Sequence, residues 1–480
     1  MEFHFGQLNN NLVVVNPVLP SSAQPSNHMS KWMLEKHTCH WLRREVEQGA
    51  QDYLIVGLGS SESVTYESLR EVAGEVARVT STCEHHDIQV AFDFLEEVNL
   101  NPADAISAFV EGWMLGAYQF QKYRKEKRAV KPWNVYLLLE ETNALKEAIN
   151  RGMLRAKSTN VTRDLCNTDP IDLNPATFSE TIRQHFGEKK LSVNIYDTEQ
   201  LRELELNGLL AVGRGSQYSS YLAEITYCTN VNKPHIILIG KGMTYDSGGI
   251  SIKTGRNISD MRMDMGGAGA VFGAMDFIAS KNLDVNVTAL LPIAENLPNE
   301  KAFLPGEVIR FANGLHVQVG NTDAEGRLIL ADALLYAERL KPDVIIDIAT
   351  LTGAVGVALG LKYAGIFGDE SITDLMKKLG NQNGDFIWPM PLIDQYEETL
   401  ASDYADLCNI SSDELAGSIT AALFLRKFVP KGIKWAHIDM AGTVQSAKTR
   451  GYHVRGASGY GVRLLVDFIE SYSKLEKRNE

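Results

Sequence analysis

The eight residues Asn321-Thr322-Asp323-Ala324-Glu325-Gly326-Arg327-Leu328 set two carboxylates at i and i+2, with a guanidinium two positions further on. In an extended segment side chains repeat every second residue, so Asp323, Glu325 and Arg327 are expected to project to one side. Two carboxylates held together raise each other's pKa, and a bound divalent metal keeps both ionised. A D-x-E pair alone is most often a solvated surface pair, so its surroundings decide.

A second group lies upstream. The apolar run HIILIG at 235–240 reads as a buried strand, and the glycine-rich loop K-G-M-T-Y-D-S-G-G follows it from Lys241 to Gly249. Ligands of open α/β sheets gather where strands end, which puts Lys241 and Asp246 where chemistry belongs. Lys253 closes I-S-I-K, and Asp264 stands in M-R-M-D-M-G-G-A-G-A, just before small residues that open a helix over 266–280. No G-x-G-x-x-G opens that helix and no G-K-[ST] is present, so neither a dinucleotide nor a Walker phosphate site is indicated.

With K-G-M-T-Y-D-S-G-G-I-S-I-K, M-R-M-D-M-G-G-A, N-T-D-A-E-G-R-L and A-T-L-T-G-A in this order, the chain closely resembles the leucyl (cytosol) aminopeptidase family. The resemblance covers 155–480 well and the first 150 residues loosely, through G-W-M-L-G-A-Y-Q-F-Q-K-Y at 112–123. It implies a metallo-aminopeptidase that removes N-terminal, preferably apolar, residues from peptides by attack of a metal-bound water. By the same resemblance Lys241, Asp246, Asp264, Asp323 and Glu325 hold two metal ions, with Asp246 and Glu325 bridging. Lys253 is then the electrophile, and Arg327 holds a bicarbonate that acts as the base. Met261, Thr350 and Gly353 would wall the side-chain slot, closed by Gly456-Ala457-Ser458-Gly459. There the usual G-x-x-G-R-P ending appears as GASGYG. The resemblance further implies a homo-hexamer and admits an added DNA-binding role.

Elementary chemistry agrees with that implied set. Two metals about 3.5–4 Å apart can both acidify water and stabilise an oxyanion. Four carboxylates neutralise two dications, and the oxygen-rich ligation suits Mn²⁺, Mg²⁺ or Zn²⁺. Lys241 ligates only when deprotonated, whereas Lys253 must keep its proton to face a carbonyl oxygen. Arg327 does not serve as a base, but its planar donors fit a small oxyanion. An α-amine binds a metal only when unprotonated and unblocked, which ties such a site to exopeptidase chemistry. A two-metal phosphatase would share the carboxylates and is the rival hydrolase.

Composition sets the remaining bounds. The chain has 480 residues, 44% of them hydrophobic, and a net charge of −13, which argues against a general nucleic-acid surface. The basic run from Lys122 to Arg128 reads as a solvated helix end. Cys39, Cys83, Cys166, Cys228 and Cys408 are odd in number and form no C-x-x-C, as expected of thiols in a reducing compartment. The N-terminus carries no secretory signal pattern and no 18-residue apolar run occurs, so a cytoplasmic enzyme without a membrane partner is expected. No H-E-x-x-H is present among the 11 histidines. His37 and His40 are expected on one face of a surface helix, His85-His86 in a polar turn, and His437 in the core of an apolar strand.

Two unequal α/β domains are expected to position these residues, one over 1–155 and a larger catalytic one over 156–480. Strands are read at 53–56, 88–92 and 134–139, with helices at 66–80, 103–124 and 142–165. Beyond them come strands at 235–240, 286–291, 315–319, 344–348 and 434–440, alternating with helices at 266–280, 328–340 and 413–428. That alternation predicts a mostly parallel or mixed, helix-covered sheet. The lone G-L-G after the first strand is weak evidence for a nucleotide.

Overall fold

The computed structural model describes residues 1–7, 9, 12–21, 31–46, 49–81, 87–127, 134–187, 189, 191–254 and 258–475. The chain forms two compact units, Met1–Asn160 with Ala447–Arg455, and Val161–Ser446 with Gly456–Glu480. Both are α/β, as expected. The division falls inside the helix Asn143–Asn167, and a short segment from late in the chain belongs to the first unit.

In the first unit a six-stranded mixed sheet runs, in spatial order, through Glu2–Phe5, Asn134–Leu138, Asp87–Ala91, Val13–Val18, Gly49–Gly57 and Cys39–Val46. All neighbours are parallel except the last pair, which is an antiparallel hairpin. The helices Tyr66–Thr80 and Pro102–Gly116 pack together beside its core. Helix Tyr66–Thr80 starts on a capping box in which Thr65 and Ser68 exchange side-chain and backbone bonds. The helix expected to reach 124 stops at Gly116. Residues 122–127 are all exposed and offer no buried face, and packing rather than propensity sustains most helices. The basic run therefore lies past the helix, in turns as far as Lys127. His37 adopts a left-handed turn (φ 68°) and His40 lies in strand Cys39–Val46, so they share no helical face. His85 and His86 fall outside the described residues.

The second unit holds a nine-stranded mixed sheet. Its middle is parallel: Lys434–Asp439, Val344–Ala349, His235–Gly240 and Asn286–Asn296 lie side by side. The flanking strands Ala364–Gly368 and Tyr221–Cys228 run antiparallel. Ile236, Ile237, Leu238 and Ile239 are all fully buried, the continuous apolar pattern of a strand covered on both faces. Each such side chain contributes on the order of 1.5–3 kcal/mol by leaving water. Helices Gly266–Lys281 and Gly326–Glu338 pack against these strands. Because the central strands are parallel, Lys241, Asn296, Thr350 and Asp439 all arrive at one edge, the carboxyl edge where ligands of such sheets bind. The expected strand at 315–319 does form, over His316–Gln318, but in a separate three-stranded sheet with Val308–Arg310 and Leu407–Cys408.

Candidate metal centre

At the carboxyl edge of the second sheet, the chain leaves strand His235–Gly240 at Lys241 and re-enters as the short strand Gly242–Asp246. The turn that follows needs backbone conformations with positive φ, 89° at Gly248 and 64° at Gly249, which side chains rarely adopt. A Cβ on Gly248 would also stand 2.8 Å from Asp323 Oδ1. The turn thus brings the acid segment close, and Lys253 follows it.

The signature segment is not extended. Ala324 N donates to Asn321 O and Asp323 N to Asn321 Oδ1, closing a turn, and helix Gly326–Glu338 starts directly after Glu325. The turn's self-bonding asparagine overrides the alternation expected of a strand. Asp323 and Glu325 converge because a turn ends in a helix, while Arg327 sits one residue into that helix.

The side chains meet in two ion-pair sets. Lys241 Nζ lies 2.7 Å from Asp264 Oδ2 and 2.9 Å from Glu325 Oε1, and it donates to Thr350 O at 3.1 Å. Lys253 Nζ lies 2.7 Å from Asp246 Oδ2 and 2.5 Å from Asp323 Oδ1. One ligand atom from each of Asp246, Asp323 and Glu325 falls within 4.8 Å of the others, a spacing that could hold a metal ion. A Cβ at position 326 would come within 2.6 Å of Lys241 Cε, so a larger residue there would press on the lysine that pairs with Asp264 and Glu325. Asp264 also accepts the Thr350 hydroxyl at 2.7 Å, and Asp246 accepts Gly248 N at 2.9 Å and Asn296 Nδ2 at 2.8 Å.

Charge does not balance here. Four carboxylates (Asp246, Asp264, Asp323, Glu325) face two ammoniums (Lys241, Lys253), an excess of two negative charges in a mostly buried space. Burial and the neighbouring Asp246 push the Glu325 carboxyl up to about 8. Asp264 and Asp323 are raised by burial too, with Asp246 adding to the push. Burial opposes the charge on Lys241, but Asp264, Glu325 and Asp246 outweigh it and raise the ammonium. Lys253 is raised in the same way. Glu325 Oε2 is buried without a hydrogen-bond partner among the described residues. An oxygen-rich, electron-rich pocket with an unpartnered carboxylate oxygen is the donor set a hard or borderline divalent cation requires. The lysine ammoniums stand where such charge is needed, so the residues present fit the metals that the sequence implies.

Arg327 is buried in the first turn of its helix. Its Nη1 donates to Asn409 O at 2.7 Å, its Nε has no partner among the described residues, and burial lowers its pKa to about 10. Gly353, Lys253 and Asp323 line a cavity of about 470 Å³ together with Ser251, Ile252, Thr254 and Asn321. A larger basin of about 690 Å³ elsewhere in the unit, with Arg202 and Arg214 on its wall, contains none of these carboxylates; volume alone does not locate the chemistry. Met261 is half-buried in the short 3₁₀ helix Ile258–Met263, and the Thr350 hydroxyl is committed to Asp264. The Ser458 hydroxyl is held by Thr443 O and Val444 O. His437 is fully buried in strand Lys434–Asp439, its Nδ1 2.5 Å from Asp347.

Two residues at the centre were not singled out from the sequence. Asn296 ends the long strand beside Asp246 and bonds both that carboxylate and Thr322 O. Asn409 bonds the signature turn. A polar amide at the end of an apolar run was the only available signal for Asn296, and Asn409 had none.

Comparison with known proteins agrees with this construction. Residues 160–466 match the family model described as the cytosol aminopeptidase family, catalytic domain, and 38–127 match that family's N-terminal domain. A probable cytosol aminopeptidase of Persephonella marina is 37% identical over 426 residues, covering 88% of this chain and 86% of that protein. One from Rickettsia felis is 36% identical over 442 residues, covering 89% and 87%. Among solved structures, the bottromycin maturation enzyme BotP in complex with Mn superposes with a TM-score of 0.87 at 30% identity, over 96% of this chain and 99% of that one. Catalytic-domain sequence, relatives matched along nearly their whole length and a shared fold together establish that this chain is a hydrolytic enzyme of the cytosol aminopeptidase family.

Proposed function

We propose that the protein is a dinuclear metallo-aminopeptidase that releases N-terminal, preferably apolar, residues from peptides in the cytoplasm. The observation that carries this reading is the buried excess of carboxylate over ammonium charge at the carboxyl edge of the sheet. Lys241, Asp246, Asp264, Asp323 and Glu325 would hold two divalent ions, Mn²⁺ or Zn²⁺, with Asp246 and Glu325 shared. Such ions would supply Lewis acidity to water and to the scissile carbonyl.

The chain's own groups do the rest. Lys253, cationic and lining the cavity, offers its ammonium to oxyanion charge that develops on the substrate. Arg327 keeps its Nε uncommitted and would hold bicarbonate as proton acceptor. Met261, Thr350 and Gly353 would receive the first side chain. Relatives named as cytosol aminopeptidases support the cytoplasmic setting, and among the described residues no helix is long and apolar enough to cross a membrane. Highly exposed Val357, Leu361 and Leu415 support burial against further copies in a homo-hexamer.

Leucine anilide hydrolysis by chelated enzyme, before and after Mn²⁺ or Zn²⁺ is added, tests the reading. Activity should return with metal, and N-acetyl-leucine anilide should remain uncleaved. Equal rates on the acetylated compound would rule out the aminopeptidase. Cleavage of a phosphate ester in its place would identify the rival hydrolase.

A further inference from the structure

Asn409 is fully buried just past strand Leu407–Cys408, and every hydrogen-bonding group it owns is used on one feature or its support. Its Oδ1 accepts Gly320 N at 2.7 Å and Asn321 N at 3.2 Å. Its Nδ2 donates to Asn321 O at 2.8 Å and Ala324 O at 3.2 Å. Its carbonyl takes Arg327 Nη1 at 2.7 Å, and its own N–H is fixed by Gln318 O. One carboxamide therefore grips both ends of the turn that presents Asp323 and Glu325, and its backbone holds the guanidinium that follows. The seating is close: a Cβ on Gly320 would fall 2.7 Å from Cys408 Sγ.

We propose that Asn409 is a positioning residue that sets metal affinity by fixing the Asn321–Glu325 turn, without touching a carboxylate itself. A neutral amide supplies the two donors and the two acceptor lone pairs that these four side-chain bonds use, where a hydroxyl has a single donor. Asp keeps the acceptors, loses both donor bonds and adds a further negative charge beside a centre already in excess. Ala removes all four side-chain bonds. Four orphaned backbone groups would then leave the turn free to relax, and the distance between Asp323 and Glu325 would no longer be defined. Asn296, by contrast, bonds the Asp246 carboxylate directly. Asn409 instead holds the backbone that carries two ligands, and loss of groups that orient metal ligands typically weakens metal binding about 10- to 100-fold.

This inference rests on the metal-binding reading above, and the experiment separates the two. Mn²⁺ affinity is measured by chelator competition on full-length wild type, Asn409→Ala, Asn409→Asp and Asn383→Ala, alongside thermal unfolding and steady-state kinetics. Asn383 is a control, a buried asparagine of the same unit that bonds Asp467 and Asp385 N. Asn409→Ala should bind Mn²⁺ about 10- to 100-fold more weakly, and Asn409→Asp more weakly still. Saturating Mn²⁺ should restore kcat of Asn409→Ala to within a few-fold, with KM unchanged. Asn383→Ala should lose thermal stability and keep wild-type Mn²⁺ affinity. If Asn409→Ala does not fold, Asn409→Ser, which keeps one donor and one acceptor, should fold with an intermediate affinity. Wild-type affinity in Asn409→Ala or Asn409→Ser, or an equal loss in Asn383→Ala, would overturn the proposal. Failure of the wild type to bind Mn²⁺ would instead overturn the metal reading.

Discussion

The first unit buries Glu67, Arg70, Glu111 and Arg155, and the second buries Lys241, Asp246, Asp264 and Glu325 beside Lys253 and Asp323. In the first, Arg70 lies 2.9 Å from Glu111 and 3.3 Å from Glu67, Arg155 lies 3.6 Å from Glu111, and Glu67 takes the Tyr452 hydroxyl at 2.8 Å. In these ion pairs two guanidiniums meet two carboxylates, so their formal charges balance. In the second, two ammoniums meet four carboxylates, and Glu325 Oε2 has no hydrogen-bond partner among the described residues. Both clusters are largely buried, with Asp323 the most exposed member of the second; their stoichiometry differs. A neutral buried cluster can be complete as it stands and serve to fix the packing of its elements. An unbalanced one is stable only if protons or cations make up the difference, and this marks it as a site.

The sharpest way to break the comparison is to remove one carboxylate from each cluster. Glu325→Gln should abolish anilide hydrolysis, by at least about 10³-fold on the scale of lost electrostatic stabilisation. It should lower bound metal below two per chain while leaving the metal-free protein no less stable, because a repelling charge has gone. Glu111→Gln should do the reverse, costing about 3–5 kcal/mol by leaving buried guanidinium charge uncompensated, with kcat per folded molecule unchanged. Metal analysis, circular dichroism and calorimetry on the two variants decide it. Full metal content with an undiminished rate in Glu325→Gln would make the second cluster another scaffold.

A second pair of variants sharpens the comparison within the unbalanced centre, by asking what its cations do. Lys253→Ala should keep both metals and nearly the same KM, yet lose about 10²- to 10³-fold in kcat, the scale of a group acting on transition-state charge. Arg327→Ala should cost only about 10-fold, since another proton acceptor can replace a displaced base. Bicarbonate should stimulate the wild type and leave Arg327→Ala unmoved. Equal stimulation of both would take the anion away from Arg327.

Much of this centre was legible in the sequence, for particular physical reasons. The runs HIILIG and VIIDIA announce themselves as buried strands, and strand ends in such sheets are where polar residues gather. The motif blocks then singled out Lys241, Asp246, Lys253, Asp264, Asp323, Glu325 and Arg327, and the structure brings all seven to one edge. The path of the signature was misread, because D-x-E-x-R fits period two equally well whether the chain is extended or turns into a helix. Asn321 caps its own turn, a competition that alternation does not reveal. Asn409 was invisible for another reason: its partners lie 85 to 89 residues away, and no spacing rule reaches across that distance. Ala447–Arg455 joins the first unit by the same kind of long-range pairing, through Tyr452 and Glu67.

The smallest expected effect concerns pH, and it tests the charge imbalance without any chemistry. The Glu325 carboxyl is moved from its ordinary 4.5 up to about 8, first by burial and then by Asp246. A carboxyl with a raised pKa holds its proton more tightly in the folded chain than in the unfolded one. Between these two values the folded state binds more protons, so this group's contribution to stability falls as pH rises through the window. The raised Asp264 and Asp323 act in the same direction. Chelated wild type should therefore lose stability from pH 5.5 to 8.5 more steeply than chelated Glu325→Gln, which lacks the titrating group. Saturating divalent metal should flatten or reverse the wild-type slope, because cations compete with protons for the same oxygens. Glu111→Gln should leave the difference between metal-free and metal-loaded slopes intact, since its partners lie in the neutral cluster. Denaturant titrations at the two pH values measure all three slopes. A Glu325→Gln slope equal to that of wild type would mean that the excess charge is not shared through Glu325, and that the contrast between the two clusters rests on Asp264 and Asp323.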